Sequence, residues 1–308
     1  MSAISLDGKV AVVTGAGRGL GQAYAIALAA AGAAVVVNDI DASAEQTVKQ
    51  IADAGGSAVA EIATVGDSAA AQRLVDRAVS EFGRLDVMVT NAGVLRDKVL
   101  WKMTDDDFDL VIATHMRGTF TCLRAAAVQM REQGDGGRII VVGSPAGQFG
   151  SFGQTNYSSA KAGIVTMART ASLELARAGI TVNAIVPTAW TQMTATIPIY
   201  EPLVAKVEAG KPLPHDVRHD HAIGMPEECA PLIVFLASDR AGGITGQAIG
   251  IGGDKLTLYS HPTEAAVAFR DGGWSADSIE AAWESELSAA AQTSGVTLPP
   301  LNLSSSDG

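Results

Sequence analysis

The chain has 308 residues, 47% hydrophobic and 18% charged, so it can form one large α/β domain or two small ones around a sizeable buried core. Its net charge of −11 at pH 7 makes bare nucleic acid and anionic membrane surfaces poor partners. The cysteines, Cys122 and Cys229, form no CxxC pair and are expected to be free core thiols. Because we find neither a signal-peptide pattern nor an apolar run of membrane-spanning length, we expect a soluble cytoplasmic protein.

From residue 10 to residue 251, short β-branched runs alternate with longer segments of helical apolar spacing, such as Gln22–Ala31 and Ala70–Phe82. The predicted strands are Val10–Val13, Ala34–Asn38, Ala58–Ile62, Val87–Thr90, Arg138–Val142, Thr181–Val186 and Ala248–Ile251. Strands that are apolar on both faces and alternate with helices are typical of a parallel sheet covered on both sides. The pattern therefore predicts an α/β fold, doubly wound, with right-handed crossovers.

Two segments break this rhythm and define the predicted organisation. Residues 188–225 are rich in proline, histidine and charge, and they follow a strand end, so we expect a flexible lid over a ligand crevice. Residues 255–308 form an extension, with a possible short strand at Lys255–Ser260 and a serine-capped helix at Ser275–Ala291. From Thr293 onward the extension is polar and expected to be disordered, so we predict a single domain over residues 1–254 followed by a partly disordered extension.

Three histidines in the lid, His215, His219 and His221, are interpreted as belonging to a solvated loop. A metal site would need a tighter arrangement with further ligands, so we predict no metal site. The run of aspartates at 105–107 follows Thr104 and is interpreted as a helix start, where carboxylates complement the helix dipole.

A glycine-rich stretch, residues 14–21, connects the first predicted strand directly to a helix. Glycines in that position permit a tight turn and a close approach of backbone N–H groups to a pyrophosphate, and the helix dipole favours the same anion. The sequence thus predicts a dinucleotide site. Its predicted contacts in this stretch are Gly15, Arg18, Gly19, Leu20 and Gly21.

The second predicted strand ends at Asp39, about 20 residues after the glycines. A carboxylate there accepts hydrogen bonds from ribose hydroxyls and repels a 2′-phosphate, which favours NAD over NADP. Arg18 argues the other way, since a cation in the glycine loop can meet that phosphate, but the carboxylate is closer and weighs more. An ordinary helix-capping role for Asp39 is the alternative. Asn91, Ala92 and Gly93 follow the fourth strand, where small residues let the backbone pass beneath the cofactor; the alternative is a plain turn.

Tyr157 and Lys161 share one face of a predicted helix at i and i+4, and Ser144 stands 13 residues before the tyrosine at the end of the fifth strand. A phenol has an ordinary pKa of about 10, and a nearby ammonium and an oxidised nicotinamide are expected to lower it. A drop of about 3 units requires about 4 kcal/mol. The serine hydroxyl can hold a substrate oxygen beside the phenol. The alternative is a solvent-facing tyrosine and a solvated lysine.

Taken in order, the glycine motif, Asn-Ala-Gly, the serine and Tyr-x-x-x-Lys resemble the short-chain dehydrogenase/reductase family from about Leu6 to Gly253. The resemblance implies strand order 3-2-1-4-5-6-7, an NAD-binding catalytic domain and hydride transfer at a secondary alcohol or ketone. It implies that Tyr157 is the general base in oxidation, that Lys161 holds the nicotinamide ribose and tunes the phenol, and that Ser144 anchors the substrate oxygen. Pro187 and Thr191 match positions beside the nicotinamide and its carboxamide.

The chain departs from the family pattern at three positions. His115 stands where the family has an asparagine that supports a relay water, and an imidazole there is expected to bridge such a water and to titrate near neutrality. The alternative is a histidine packed at a helix bend. Thr64 and the Val65 backbone stand where the adenine-binding aspartate is expected. Pro231 interrupts a predicted helix over Pro226–Ala237 and is expected to kink it.

A narrower resemblance concerns the group formed by the dehydrogenase domain of peroxisomal multifunctional enzyme type 2 and its actinobacterial relatives. The stretches that carry it are Val94–Asp97, His115–Gly118, Phe152–Tyr157, Ala230–Leu232 and Gly273–Ser275. The group oxidises (3R)-hydroxyacyl-CoA thioesters, and some members oxidise 17β-hydroxysteroids, which implies a small-molecule substrate of one of these kinds.

Two other functions compete with this hypothesis: a 3-oxoacyl carrier-protein reductase that uses NADPH, and a non-catalytic scaffold that senses NAD. Asp39 argues against the first, and the presence of the serine, tyrosine and lysine argues against the second. Long helices predicted around Asp107–Arg131 and Thr155–Ala178 keep apolar faces that the sheet cannot cover. The family pairs these helices, which implies a homodimer or homotetramer.

Overall fold

A computed structural model describes residues 4–195, 197–296 and 298–301. In these residues eight strands form one sheet in the order β3-β2-β1-β4-β5-β6-β7-β8. The strands are β1 (Val10–Val13), β2 (Ala34–Asp39), β3 (Ser57–Ile62), β4 (Val87–Thr90), β5 (Gly137–Val142), β6 (Ile180–Pro187), β7 (Ala248–Gly252) and β8 (Lys255–Tyr259). Strands β1 to β7 pair in parallel and β8 pairs antiparallel to β7. The predicted fold and order are therefore confirmed, with β8 added at one edge.

Helices cover both faces of the sheet. They are α1 (Gly19–Ala30), α2 (Ser43–Asp53), α3 (Ser68–Phe82), α4 (Asp105–Val111), α5 (Gly118–Gln133), α6 (Pro145–Phe149), α7 (Thr155–Leu175), α8 (Gln192–Ala195), α9 (Val204–Glu208), α10 (His215–His219), α11 (Pro226–Ala237) and α12 (Ala276–Ala282). Helices α1, α2 and α11 pack on one face, and α3, α5 and α7 pack on the other. The core strands are buried on both sides, which is why their sequences are apolar runs without a period of two.

The helix predicted over Asp107–Arg131 is divided in the structure. Helix α4 begins after Thr104, whose side chain accepts a bond from the Asp107 N–H, as the aspartate run predicted. A π-helical turn, Ile112–Arg117, then leads into α5. Such turns widen a helix locally and are frequent at functional sites. Helix α11 continues through Pro231. Both cysteines are free and buried, as predicted.

The sheet order reverses between β1 and β4, because β2 and β5 lie on opposite sides of this pair. The carboxyl ends of parallel strands at such a reversal border a crevice where ligands bind in open α/β sheets. Residues 14–21, 91–93 and 143–144 directly follow β1, β4 and β5. The fold therefore brings the predicted cofactor and catalytic segments to one edge.

The extension beyond residue 254 begins with β8 and continues to α12, which Ser275 caps as predicted. In the region predicted to be disordered from Thr293 onward, Gly295 and Pro299 hydrogen bond to the domain. Residues 302–308, to which the same prediction applies, lie outside the described residues. The division into a domain and a partly disordered extension stays a prediction.

Candidate active site

The glycine loop packs tightly on one side and is open on the other. Gly15 has a φ of +61°, and a Cβ there would lie 2.6 Å from Cα of Ala92. Gly19, with φ +58°, begins α1 and has no atom within 4 Å of the place of a Cβ. Arg18 precedes α1 in extended conformation, and its side chain does not cap the helix. The first-turn N–H groups of α1 thus receive no capping side chain and can donate to an anion.

Asp39, the last residue of β2, is 9% exposed and accepts a hydrogen bond from the backbone N–H of Gly17 at 2.8 Å. Its other oxygen accepts from the backbone N–H of Ile40. The guanidinium of Arg18 forms an ion pair with Asp41. Hydrogen bonds from Ser43, and after them the bond and charge of Arg18, lower the pKa of Asp41 to about 2. Arg18 is therefore already neutralised by a carboxylate, and Asp39 stays close to the glycine loop.

The segment after β4 is fastened to the glycine loop by side-chain hydrogen bonds. The amide of Asn91 donates to the carbonyl oxygens of Thr14 and Gly15 at 3.1 and 3.0 Å. The hydroxyl of Thr14 accepts from the backbone N–H groups of Asn91 and Ala92. Asn91 thus ties the end of β4 to the end of β1. Sequence reasoning did not assign a role to Thr14, although its place directly before the glycines was the available signal.

The loop after β3 contains Thr64, which is exposed, and Val65, which packs against Gly118 at the start of α5. The guanidinium of Arg117 donates to the carbonyl of Gly66 at 2.9 Å. The loop is thereby held beside α5 at the same edge of the sheet as the glycine loop. The position of Thr64 leaves its side chain available to a ligand, as the sequence-based hypothesis requires.

Ser144 and Tyr157 meet at the carboxyl end of β5. Ser144 is 9% exposed and caps α6 by accepting from the Ala146 N–H at 3.2 Å. Burial raises the pKa of Tyr157, the nearby Ser144 hydroxyl lowers it, and the carboxylate of Asp97 raises it. The lowered phenol pKa expected from the sequence is therefore not produced by the chain's own groups, because desolvation outweighs the hydroxyl.

Lys161 lies one turn after Tyr157 on α7 and is 4% exposed. Its Nζ donates to the carbonyl oxygen of Val142 at 2.6 Å and lies 5.6 Å from the centroid of the tyrosine ring. Burial lowers the pKa of Lys161 to about 7. An amine in this state exchanges a proton near neutrality, which an exposed lysine does not.

His115 occupies the π-helical turn before α5, is 3% exposed, and stands edge-on to Tyr157 with ring centroids 5.2 Å apart. Its Nε2 lies 2.8 Å from the carbonyl oxygen and 3.0 Å from the backbone nitrogen of Val94. Its Nδ1 is buried without a hydrogen-bond partner in the described part of the chain. Burial and the cation of Lys161 lower the pKa of His115 to about 3. The expectation that it titrates near neutrality is wrong, because an imidazole in this dry, cationic environment stays neutral.

Gly93 and Asn156 hold this cluster together. A Cβ at Gly93 would lie 2.3 Å from the imidazole of His115, so only glycine fits between β4 and the histidine. The fully buried amide of Asn156 donates to the carbonyl oxygens of Arg96 and Asp107, and so ties the start of α7 to the loop after β4. Sequence reasoning missed Asn156, whose only signal was its place beside the tyrosine.

Pro187 ends β6, and Thr191 accepts a bond from the Thr194 N–H at 3.2 Å at the start of the short helix α8. The backbone N–H of Trp190 donates to the carbonyl oxygen of Gly224 at 2.7 Å. Both ends of residues 188–225 are therefore joined beside the end of β6. The two predicted cofactor positions lie where the lid leaves the sheet.

The lid has its own small core and is not a solvated loop. The core consists of buried Trp190, Tyr200, Leu203, Leu213, Val217 and Ile223. His221, predicted to be solvated, is 3% exposed, and its Nδ1 lies 2.7 Å from the Tyr200 hydroxyl. That prediction was wrong because spacing along the chain does not reveal which loop residues fold inward. His215 and His219 are exposed and their rings stack.

An arginine network fastens the lid to the domain. Arg218 donates bidentately to Glu228 at 3.0 and 2.7 Å and also pairs with Asp254 at 2.7 Å. Bidentate guanidinium–carboxylate pairs fix orientation as well as distance. Sequence reasoning missed this network, because its members are far apart along the chain.

The described residues were also compared with the requirements of a metal site and of a membrane-spanning helix. The described residues contain no group of three or more His, Cys, Asp or Glu side chains that could hold a metal ion. None of the helices within the described ranges is long and apolar enough to cross a membrane.

Comparison with known proteins identifies the family. A family model described as enoyl-(acyl carrier protein) reductase matches residues 15–253. The chain is 41% identical over 270 residues to a hydroxyacyl-CoA dehydrogenase of Mycobacterium tuberculosis, covering 83% of this chain and 81% of that protein. It is 39% identical over 262 residues to the (3R)-3-hydroxyacyl-CoA dehydrogenase of Rattus norvegicus, covering 82% of this chain and 98% of that protein.

A solved structure supports the same family assignment. The crystal structure of a short chain dehydrogenase from Mycobacterium avium superimposes with a TM-score of 0.81 at 35% identity, and the match covers 95% of this chain and 98% of that one. The resemblance inferred from the ordered motifs is thus confirmed by the sequence relatives and by the fold. The chain belongs to the short-chain dehydrogenase/reductase family and is an oxidoreductase.

Proposed function

We propose that the chain is an NAD-dependent dehydrogenase that oxidises the 3-hydroxyl group of (3R)-hydroxyacyl-CoA thioesters. The observation that carries the proposal is the placement of Ser144 at the end of β5 beside Tyr157 in the first turn of α7, with the Nζ of buried Lys161 5.6 Å from the centroid of the tyrosine ring. The names of the rat and mycobacterial relatives support the thioester substrate. Activity toward a 17β-hydroxysteroid is an outcome of the substrate test below.

The chain's residues fit a dinucleotide. The uncapped start of α1 and the open space at Gly19 suit a pyrophosphate, and Asp39 suits the adenosine ribose hydroxyls. The Arg18–Asp41 ion pair favours NAD over NADP, because it leaves two carboxylates and no unpaired cation at the place of a 2′-phosphate. When bound, the nicotinamide supplies the hydride acceptor.

Tyr157 acts as the base that takes the proton from the substrate hydroxyl, and Ser144 holds the same oxygen by a hydrogen bond. Ser144 caps α6, and α6 packs against the first turns of α7 that carry Tyr157, so one substrate oxygen can reach both groups. Because burial raises the pKa of Tyr157, deprotonation requires added positive charge in the site. A general base in hydrogen-bond reach contributes about 10²- to 10⁴-fold to the rate.

Lys161 holds the nicotinamide ribose and passes the proton of Tyr157 on to a relay water beside it. Its Nζ uses one donor on Val142, so its remaining donors can bind a ribose hydroxyl. The pKa of about 7 allows the amine to give and regain a proton within a catalytic cycle near neutrality. His115 acts as a positioning residue. Its neutral ring braces the Val94 backbone and presents Nδ1 as the group that holds a relay water beside Lys161.

Turnover of (3R)-3-hydroxybutyryl-CoA with NAD, compared between the wild type and Tyr157→Phe, tests the proposal. We expect a loss of kcat of about 10³-fold or more with NAD affinity retained. Tyr24→Phe is the matched control, since the Tyr24 hydroxyl is fully buried without a hydrogen-bond partner in the described residues and lies on α1. Retention of most activity by Tyr157→Phe would exclude the tyrosine as the base. Turnover of a 17β-hydroxysteroid without any thioester turnover would replace the substrate class.

The protein is further proposed to form a homodimer or homotetramer. Helices α4, α5 and α7 expose large apolar side chains, namely Phe108, Leu110, Phe120, Val128 and Leu173. Apolar residues grouped on helix faces are typical of contacts between subunits. Light scattering of the purified protein tests this, and a monomer at micromolar concentration would contradict it.

A further inference from the structure

The chain end, the name used here for residues 295, 296 and 298–301, contacts two elements that border the candidate site. On one side, the backbone N–H of Gly295 donates to the carbonyl oxygen of Phe149 at 2.7 Å. Phe149 is the last residue of α6, the helix that Ser144 caps. On the other side, the carbonyl oxygen of Pro299 accepts a hydrogen bond from Nε2 of His221, at 2.8 Å. The two anchors therefore belong to α6 and to the lid.

The anchor on the lid is buried and specific. His221 is 3% exposed, and since a carbonyl oxygen can only accept, Nε2 carries the proton and Nδ1 accepts from the Tyr200 hydroxyl. Leu301 packs against the same lid core. One histidine thus joins the lid core to the chain end through both ring nitrogens.

Chain length limits the distance that this bridge covers. Gly295 and Pro299 are four residues apart, so their Cα atoms are at most about 14 Å from each other. A substrate group that extends from Ser144 between α6 and the lid would therefore run toward a short, taut segment that is held at both ends. Such a barrier can limit the length of the substrate group that binds.

The composition of the chain end decides which part of a thioester it meets. Residues 292–301 contain no charged side chain. Val296 and Leu298 are each 44% exposed, and the ring of Phe149, 46% exposed, lies 6.0 Å from that of Tyr259. Phosphates of a CoA group would require cations, whereas an alkyl chain gains by covering apolar surface.

We propose that the chain end, through Gly295, Pro299 and Leu301, forms a wall of the substrate cleft and selects thioesters by the length of their acyl chain. This inference rests on the proposed function. It assigns a specificity-determining role to the extension, with His221 as the residue that positions it. Removing the wall should let longer acyl chains bind, while the chemistry at Tyr157 is unchanged.

The test compares kcat/KM for hydroxybutyryl-CoA and hydroxyhexadecanoyl-CoA, both in the (3R) form. One variant ends at Ser294, and a second, His221→Phe, keeps a ring in the lid core but loses both hydrogen bonds. A chain that ends at Leu301 is the matched control. We expect the long-to-short ratio of kcat/KM to rise about tenfold or more in both variants and to stay unchanged in the control. An unchanged ratio in both variants would overturn the inference.

A second measurement separates this inference from the proposed function. Trypsin cleavage after Lys206, in the lid helix α9, needs no substrate. Faster cleavage in the chain ending at Ser294 than in the chain ending at Leu301 supports the docking of the chain end on the lid, and equal rates contradict it. If the full chain turned over no thioester, the proposed function would be wrong, and the cleavage rates would still decide whether the chain end holds the lid.

Discussion

The Nζ of Lys161 donates a hydrogen bond to the carbonyl oxygen of Val142 at 2.6 Å, deep enough for the lysine to be only 4% exposed. Its pKa falls to about 7 because burial disfavours the charged form. Burying this lysine lowers the free energy of unfolding, and destabilising groups of this kind are typical of functional sites.

Replacing Lys161 by methionine should therefore stabilise the fold and abolish turnover. The folded-state pKa, about 7, lies below the ordinary value of 10.5, so between these values only the unfolded chain holds the proton and stability rises with pH. The penalty is fully present below about pH 7. In urea unfolding at about pH 6, we expect the free energy of unfolding of Lys161→Met to exceed that of the wild type by about 1–3 kcal/mol. This difference between variant and wild type should vanish near pH 10. Lys49→Met, at an exposed pair with Asp53, is the control. A variant less stable than the wild type at pH 6 contradicts this.

His115 should affect acid stability and leave the pH profile of turnover in place. Its folded-state pKa, about 3, lies below the ordinary 6.5, so the unfolded chain binds an extra proton between these values and stability is lost as pH falls through them. We expect the melting temperature of His115→Asn to fall less than that of the wild type as the pH is lowered. The midpoint of its pH profile of turnover, near neutrality, should move by less than about half a pH unit. His215→Asn, at an exposed ring, is the control. A larger movement of the midpoint would assign His115 a titrating role.

Asp39 and Asp41 should control cofactor choice by different means. Asp39→Ala removes the carboxylate beside Gly17, so NAD affinity should fall by about tenfold, or about 1.4 kcal/mol. NADP should gain little, because Arg18 remains paired with Asp41. Adding Asp41→Asn frees that guanidinium, and NADP affinity should then rise by about tenfold. Isothermal titration measures both affinities, with Asp53→Asn as the control. A wild type that binds NADP more tightly than NAD would disprove the NAD assignment.

Arg218 should hold the lid in position for substrate. Arg218→Met leaves Glu228 and Asp254 without their shared partner, which should cost about 1–3 kcal/mol of stability and raise KM by about tenfold with a smaller change in kcat. Steady-state kinetics and thermal unfolding measure the two effects. Arg73→Met, at a surface pair with Glu61, is the comparison. Equal KM values for Arg218→Met and Arg73→Met would show that the network has no part in substrate binding.

The local pattern was sufficient for the parallel sheet and for the order of the motifs. Runs such as Val10–Val13 are buried on both faces of the sheet, so an apolar composition without a period of two predicts a central strand directly. The spacing of Tyr157 and Lys161 likewise fixes a shared helix face, because helical geometry is local. The sequence also indicated a strand after residue 254, since β-branched and apolar residues alternate there, and β8 occupies that position.

Protonation and lid architecture depended on the tertiary structure. The pKa values of Lys161 and His115 follow from desolvation and mutual charge, and neither quantity exists until distant segments enclose both residues. The burial of His221 and its bond to Pro299 join positions 78 residues apart, which no local spacing encodes. By itself the sequence determined which potentially catalytic residues the chain contains and which strand each of them follows. Only the folded structure decided which of them are dry, which are paired and which face one another, because burial and Coulomb interactions depend on distance in space.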